Sequence, residues 1–323
     1  MLIRADARNI PLKDKSVDCV VTSPPYWGLR RYPDSLQIGL EKTYKEYVAA
    51  ILEVGKEVYR VLRDQGTFWL NLGDSYATGA GKVSQCPGGG WQGDKFKQYF
   101  GESTPGSQLA MIGLTQPNRM PQPGLKPKDM CGIPWRVAFG LQDAGWFLRS
   151  EIIWAKPNPT PESVRDRPSR AHEQIFLLTK KRKYYYDADA ISVLSTPGGW
   201  HGNDFRRRRY KEIHPYGGEG ERNTESQRRN MRDVWTVPTN GTSSPHFATF
   251  PRKLIEPCIL AGCPEGGIVL DPFCGSGTVI AACRDLGRIG IGIDLSWQDL
   301  AAEKIGGKLF ASVINAGFAG DKL

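Results

Sequence analysis

The stretch GIVLDPFCGSGTVIAACRDLGRIGIGID, Gly267 to Asp294, leaves the chain few ways to fold. An apolar strand over Gly267 to Leu270 runs into the turn DPFCGSGT, a helix over Val279 to Leu286 follows at once, and a second β-branched strand, Arg288 to Ile293, stops at Asp294. Two strands bridged by a helix run parallel, and a parallel sheet is stable when helices cover both faces. The same order stands near the start of the chain. VDCVV (17–21) reads as a buried strand ending at Thr22, and Tyr44, Tyr47, Val48, Ile51, Val58 and Leu62 recur at helical spacing across Thr43 to Leu62. TFWLNL (67–72) is the next strand. A helix opening at Ile133-Pro134, strands around Phe147 to Trp154 and Gln174 to Thr179, and a turn at KKRKYYYD leading into an edge strand follow. A helix over Pro251 to Gly262 and a final helix after Asp294 complete the regular part. The fold predicted is α/β, a doubly wound, mostly parallel sheet.

Two long segments break this pattern. Gly73 to Asp129 contains CPGGGWQGDKF and QPNRMPQPGLKPKD, and a loop of that length is either functional or disordered. Ser195 to Asn240 is polar and rich in arginine, with nine Lys/Arg against five Asp/Glu between 201 and 232. The whole chain of 323 residues carries a net charge of +9, which favours a polyanionic partner. No apolar run approaches the roughly 20 residues of a membrane span, and Arg4, Asp6 and Arg8 leave no room for a secretory segment, so a cytoplasmic protein without membrane contact is expected. Seven cysteines, widely spaced and without a C-x-x-C pair, support neither a disulfide framework nor a metal site.

The turn DPFCGSGT narrows the ligand. Gly275 and Gly277 allow a tight turn and a close approach of a ligand to the main chain, and Asp294 stands where an acidic side chain reaches the hydroxyls of an adenosine ribose. A nicotinamide dinucleotide uses the same layout. However, the pattern here is G-S-G-T rather than G-x-G-x-x-G, and Asp271 would lie beside a pyrophosphate, which is repulsive. Beside the ammonium of a methionine moiety the same carboxylate is favourable, which points to S-adenosyl-L-methionine.

Together with TSPPYW (22–27), this turn resembles the amino-methyltransferases of DNA, which methylate the exocyclic nitrogen of cytosine or adenine. The order of the motifs, catalytic first and cofactor last, resembles the circularly permuted arrangement called the beta class. HFATFP (246–251) and RADARNIPLKDKSVDCVVTSPPYW (4–27) extend the resemblance over nearly the whole chain. It implies a Rossmann-like methyltransferase fold in which residues 1–190 form the catalytic half with an irregular insertion at about 73–130, residues 191–240 a target-recognition region, and residues 241–323 the cofactor half. By resemblance Asp271, Phe273, Gly275, Gly277, Thr278 and Asp294 contact S-adenosylmethionine, with Asp6, His246 and Phe247 in addition.

The chemistry explains why a family of this kind needs Ser23, Pro24, Pro25 and Tyr26. The lone pair of an exocyclic amine is delocalised into the ring, and acceptors aimed at its two N–H groups pull the nitrogen toward a tetrahedral, nucleophilic shape. Ser23 Oγ is one acceptor and the Pro24 carbonyl the natural second, while the prolines fix φ and hold both rigid. Tyr26 offers a face on which a flipped base stacks, and Trp27 adds to the pocket wall. Transfer is then a direct in-line displacement. Pro257-Cys258 matches the proline-cysteine dipeptide of carbon-5 cytosine methylases, but within an apolar helix it reads as a packing cysteine.

Ser-Pro-Pro is associated in the family with N4 of cytosine, and Asp or Asn before Pro-Pro with N6 of adenine. The association is imperfect, so N4-cytosine methylation leads and N6-adenine methylation is the alternative. An RNA methyltransferase and a non-catalytic DNA-binding protein are more distant readings. Arg206, Arg207, Arg208, Arg209 and Lys211 sit where the family's variable recognition region lies, and Arg30 and Arg31 follow the catalytic turn directly, so these are the expected grips on double-stranded DNA. A cognate restriction endonuclease is a partner in function only. Monomer and homodimer both stay open.

Overall fold

The computed structural model describes residues 1–29, 36–77, 122–194, 228–239, 250–295 and 313–315. Its elements are β1 (Leu2–Arg4), β2 (Val17–Thr22), α1 (Tyr44–Val61), β3 (Leu62–Leu72), α2 (Ile133–Asp143), β4 (Phe147–Ala155), β5 (His172–Thr179), β6 (Val193–Leu194), β7 (Arg228–Arg229), β8 (Val234–Thr236), α3 (Arg252–Gly262), β9 (Ile268–Asp271), α4 (Thr278–Asp285), β10 (Ile289–Asp294) and β11 (Val313–Asn315). Contacts group the chain into two compact units, Met1–Tyr186 with Asp233–Leu323, and Asp187–Arg232.

The larger unit holds a nine-stranded sheet in the order β11-β1-β10-β9-β2-β3-β5-β4-β8. The six strands from β11 to β3 are mutually parallel. β5 runs antiparallel to β3 and to β4, and β8 lies parallel to β4. Within the smaller unit β6 and β7 pair antiparallel, and the Arg228 guanidinium donates to the Ser192 hydroxyl and carbonyl.

Burial explains the strands. β2 is buried at every position, as a central parallel strand covered on both faces must be. On one face Phe68, Leu70 and Leu72 of β3 join a core with Tyr47, Ile51 and Val58 of α1 and Val137 and Leu141 of α2. On the other face Thr67 Oγ1 donates to the Gly262 carbonyl of α3 at 3.0 Å and accepts from Trp69 Nε1 at 3.1 Å. Each large apolar side chain so buried contributes about 1.5–3 kcal/mol. Thr43 and Glu46 close a reciprocal capping box at the start of α1, a device that contributes about 1 kcal/mol.

The sequence expectations differ from the structure at short or paired elements. Residues 184–187 form no edge strand. The Tyr185 amide donates to the Gln65 carbonyl at 2.9 Å while the Tyr186 ring stacks on Trp69, so aromatic packing takes the place of a ladder. β1, β8 and β11 are strands of three residues, too short to show a period. The helix expected after Asp294 lies outside the described residues.

Candidate active site

Parallel neighbours end at the same edge of a sheet, and the pairing of Val20 with Leu270 sets the carboxyl ends of β2 and β9 side by side. A buried hydrogen bond joins them. Thr22 Oγ1 donates to Asp271 Oδ1 at 2.6 Å, and the same oxygen accepts the Phe273 amide at 3.1 Å. Asp271 is buried, and that burial pushes its carboxyl up to about 7. The nearby Asp294 charge adds to the rise, and the two hydrogen bonds oppose it.

The turn after β9 is built by its backbone. Gly275 and Gly277 have φ of +45° and +75°, a region in which a Cβ costs about 1–2 kcal/mol. Gly277 is the left-handed N-cap of α4, and Asp294 Oδ2, from the end of β10, accepts the Gly275 amide at 3.0 Å. A Cβ built on Gly275 would meet nothing within 4 Å, so open space lies against bare main chain where a cofactor would approach. The residues present therefore fit an adenosine-bearing ligand whose positive end faces acidic groups. Phe273 is half-buried, and Thr278 is buried with its hydroxyl 3.4 Å from Ser276 Oγ. Asp6 stands apart from this turn in its bonding, since both its oxygens accept from the Arg8 guanidinium, at 2.6 to 3.1 Å.

The turn after β2 is instead held by side chains from elsewhere. Ser23 is half-buried and its hydroxyl points to Tyr26 Oη at 3.4 Å, which leaves its lone pairs for an incoming N–H. The fully buried Tyr47 of α1 donates to the Pro25 carbonyl at 3.0 Å, whereas none of the described residues donates to the Pro24 carbonyl. Tyr26 shares its hydroxyl proton between Glu173 Oε2 at 2.6 Å and Asn71 Oδ1 at 3.0 Å, the shorter, charged acceptor dominating. Burial, followed by the Glu173 charge, holds the Tyr26 phenol well above its usual range, so it stays protonated. Its ring lies against Gly73, where a Cβ would approach Tyr26 Cε2 to 2.5 Å. Trp27 turns away into the core, and its Nε1 donates to the Glu41 carbonyl at 3.0 Å, so it lines no pocket beside Ser23.

Four site residues escape a reading of the sequence: Thr22, Asn71, Glu173 and Lys156, whose ammonium pairs with Glu173. Thr22 and Glu173 had local signals, Thr22 as the first residue of TSPPYW and Glu173 by its place in AHEQIFLLTK, the segment preceding the arginine-rich region. Cys258 is buried inside α3 with its thiol 3.7 Å from the Leu254 carbonyl, and burial pushes its pKa up, as suits a packing residue. Arg30, Arg31, Arg206 to Arg209, Lys211, His246 and Phe247 lie outside the described residues. Among the described residues no cluster of His, Cys, Asp or Glu could hold a metal ion, and no helix is long and apolar enough to cross a membrane.

A mostly parallel sheet with a glycine turn and a Ser-Pro-Pro-Tyr turn side by side at one edge is a Rossmann-like fold. The comparisons carry this to a family. The family model described as DNA methylase matches residues 17–303. The type II methyltransferase M.SmaI of Serratia marcescens is 41% identical over 309 residues, covering 94% of this chain and 90% of its own. M.Cfr9I of Citrobacter freundii is 42% identical over 311 residues, covering 95% and 88%. The chain therefore belongs to the DNA methylase family; it is an enzyme of the DNA amino-methyltransferase kind, and DNA is its substrate. Among solved structures, the PvuII DNA methyltransferase (cytosine-N4-specific) shares the fold with a TM-score of 0.57 at 16% identity, over 94% of this chain and 84% of that one. A putative DNA modification methylase of Thermus thermophilus, solved in complex with S-adenosyl-L-methionine, shares it with a TM-score of 0.55 at 19% identity, over 98% and 99%.

Proposed function

We propose that this chain is a site-specific methyltransferase that moves the methyl group of S-adenosylmethionine to the exocyclic N4 of a cytosine flipped out of duplex DNA. The observation that carries the reading is the Thr22–Asp271 hydrogen bond, which sets the amine-receiving turn directly beside the glycine turn. When bound, the cofactor supplies an electrophilic sulfonium methyl. Gly275, Gly277 and Thr278 would form the seat at the start of α4, Asp294 would take the ribose hydroxyls and Phe273 would pack beside the adenine. Asp271 would face the methionine end, where the ammonium of the bound cofactor would favour the ionised form of its raised carboxyl, and Asp6, His246 and Phe247 would complete the cofactor shell.

Ser23 Oγ and the Pro24 carbonyl would accept the two amine hydrogens, which would free the nitrogen lone pair to take the methyl group as its bond to sulfur breaks; they would stabilise the positive charge on nitrogen until one amine proton leaves to solvent. The two prolines and the Tyr47 bond to Pro25 hold those acceptors in place, so little reorganisation accompanies the reaction. Tyr26 supplies the stacking face, a contribution of about 1–3 kcal/mol per base.

Arg30 and Arg31 grip the backbone beside the flipped base, and Arg206 to Arg209 with Lys211, in a recognition region at 191–240, read and hold the duplex. Residues 1–190 and 241–323 are then the catalytic and cofactor halves of one domain. The chain acts in the cytoplasm as the modification partner of a restriction endonuclease.

The test is expression in a host without DNA methylation, followed by nucleoside mass analysis and base-resolved sequencing of the genome. N4-methylcytosine at one short sequence is expected. N6-methyladenine would overturn the base, and methylated RNA with unmodified DNA would overturn the substrate.

A further inference from the structure

We infer that Glu173, itself held by Lys156, is the positioning residue of the catalytic turn, acting through the Tyr26 hydroxyl. The inference rests on the reading of Tyr26 as the platform for the flipped base. In the register of the sheet Gln174 of β5 faces Leu72, the last residue of β3, so Glu173 reaches one position beyond the end of β3. There it meets the turn that follows β2. Glu173 Oε2 accepts the Tyr26 hydroxyl at 2.6 Å, and Glu173 Oε1 accepts the Lys156 ammonium. The Lys156 ammonium in turn sits 4.3 Å from the centroid of Trp154, the residue opposite Glu173 across the β4–β5 ladder. Trp154 is anchored by its Nε1 bond to the Val237 carbonyl at 2.7 Å.

The chain of contacts thus runs from a rigid sheet residue, through a lysine and a carboxylate, to the ring on which a base would rest. Both charged side chains are largely buried, at 18% and 15% exposure, so a structural account alone would predict only a cost in stability for such a pair. The geometry gives it a second task. A tyrosine ring keeps one free rotation about its Cβ–Cγ axis and can swing about Cα–Cβ. The Glu173 bond at its tip and Gly73 against its edge remove the swing. Ser23 Oγ donates to the same hydroxyl, so the acceptor for the amine and the platform for the base share one fixed point. A base that stacks on a displaced ring would present its amine away from Ser23 and the Pro24 carbonyl, and a misplacement of about 1 Å can cost about 100-fold in rate.

The experiment is a double-mutant cycle on single-turnover methylation of duplex DNA at saturating labelled cofactor, with Tyr26→Phe, Glu173→Leu and the double variant, beside Tyr26→Ala. Each of Tyr26→Phe and Glu173→Leu is expected to slow transfer on the order of 10- to 100-fold, with calorimetric affinity for S-adenosylmethionine unchanged. The double variant should be no slower than the slower single one, because Tyr26→Phe, which removes every bond of the hydroxyl, already includes the bond that Glu173→Leu removes. Glu173→Gln, which keeps an acceptor oxygen, should recover part of the rate that Glu173→Leu loses. Rates that fall multiplicatively in the double variant, or a Glu173→Leu protein that folds but loses cofactor affinity, would overturn the role of Glu173. If Glu173→Leu does not fold by circular dichroism, the cycle is run with Glu173→Gln, and the same non-additivity decides. A Tyr26→Ala protein at wild-type rate would instead sink the platform reading itself. A slow Tyr26→Ala with additive effects in the cycle sinks only the role given to Glu173.

Discussion

The two turns that meet at the carboxyl edge of the sheet are made rigid in opposite ways. The turn after β9 is largely a product of its own short sequence, with two glycines at positive φ, a helix that starts at once, and two clamps from the end of β10, where the Ile293 carbonyl accepts the Cys274 amide and Asp294 accepts the Gly275 amide. The turn after β2 has locally its prolines, the long Ser23–Tyr26 hydroxyl contact and the Leu29 amide bond to the Tyr26 carbonyl. Its shape is completed by Tyr47 of α1, Asn71 of β3, Glu173 of β5 and Asp271 of β9, at separations from 22 to 249 positions. A seat for a ligand that approaches bare backbone can be written in a few consecutive residues. The acceptors proposed to hold an amine beside that seat draw their positions from several strands of the sheet.

That contrast can be broken at either turn. The largest effect is expected at Ser23→Ala, which removes the proposed acceptor for the amine: transfer should fall by about 100-fold or more, while the neighbouring glycine turn keeps its affinity for the cofactor by calorimetry. Parallel loss of affinity would show that the two turns are not separable. Next is Gly277→Val, which places a branched side chain at φ +75°. Backbone strain of about 1–2 kcal/mol or more should weaken cofactor binding at least several-fold, with a smaller loss of thermal stability. Unchanged binding would show that the seat does not depend on this conformation.

The smallest effect sharpens the joint between the turns. Burial raises the Asp271 carboxyl from its usual 3.8 to about 7, so the folded chain holds this proton more tightly than the unfolded one. The stability tied to the neutral carboxyl is complete below about pH 4 and is lost as pH rises through about 7. Thermal melts of the cofactor-free protein between about pH 5 and 8 should therefore show Tm declining with pH through this group, with a flatter profile in Asp271→Asn. Identical profiles would remove Asp271 as the titrating group.

Legibility followed the same division. The strand, glycine turn, helix and strand of residues 267–294 could be read from the sequence because apolar strands and a helix follow one another directly there and each special conformation has its glycine. The helix of α1 was legible for the same reason, down to its boundary at Thr43, though not the capping box that closes it. Three-residue β1 and β8 carry no period, and they became strands because a neighbour offered a free ladder edge. The prolines and aromatics of TSPPYW were visible, but their division of labour was not. Trp27 went to the core and Tyr26 to Glu173, 147 positions away, since a sequence does not display which polar groups a sheet will set opposite one another.

The Thr22–Asp271 bond has a consequence for how genes of this kind can be rearranged. It joins residues that are remote in the chain but adjacent in the sheet, and lateral adjacency of strands is indifferent to the order in which a ribosome delivers them. A gene cut within the long middle segments and rejoined with its halves exchanged would encode the same two neighbouring strand ends, and with them the same joint. Selection acting on that joint preserves a place in space and leaves the order of reading free to drift.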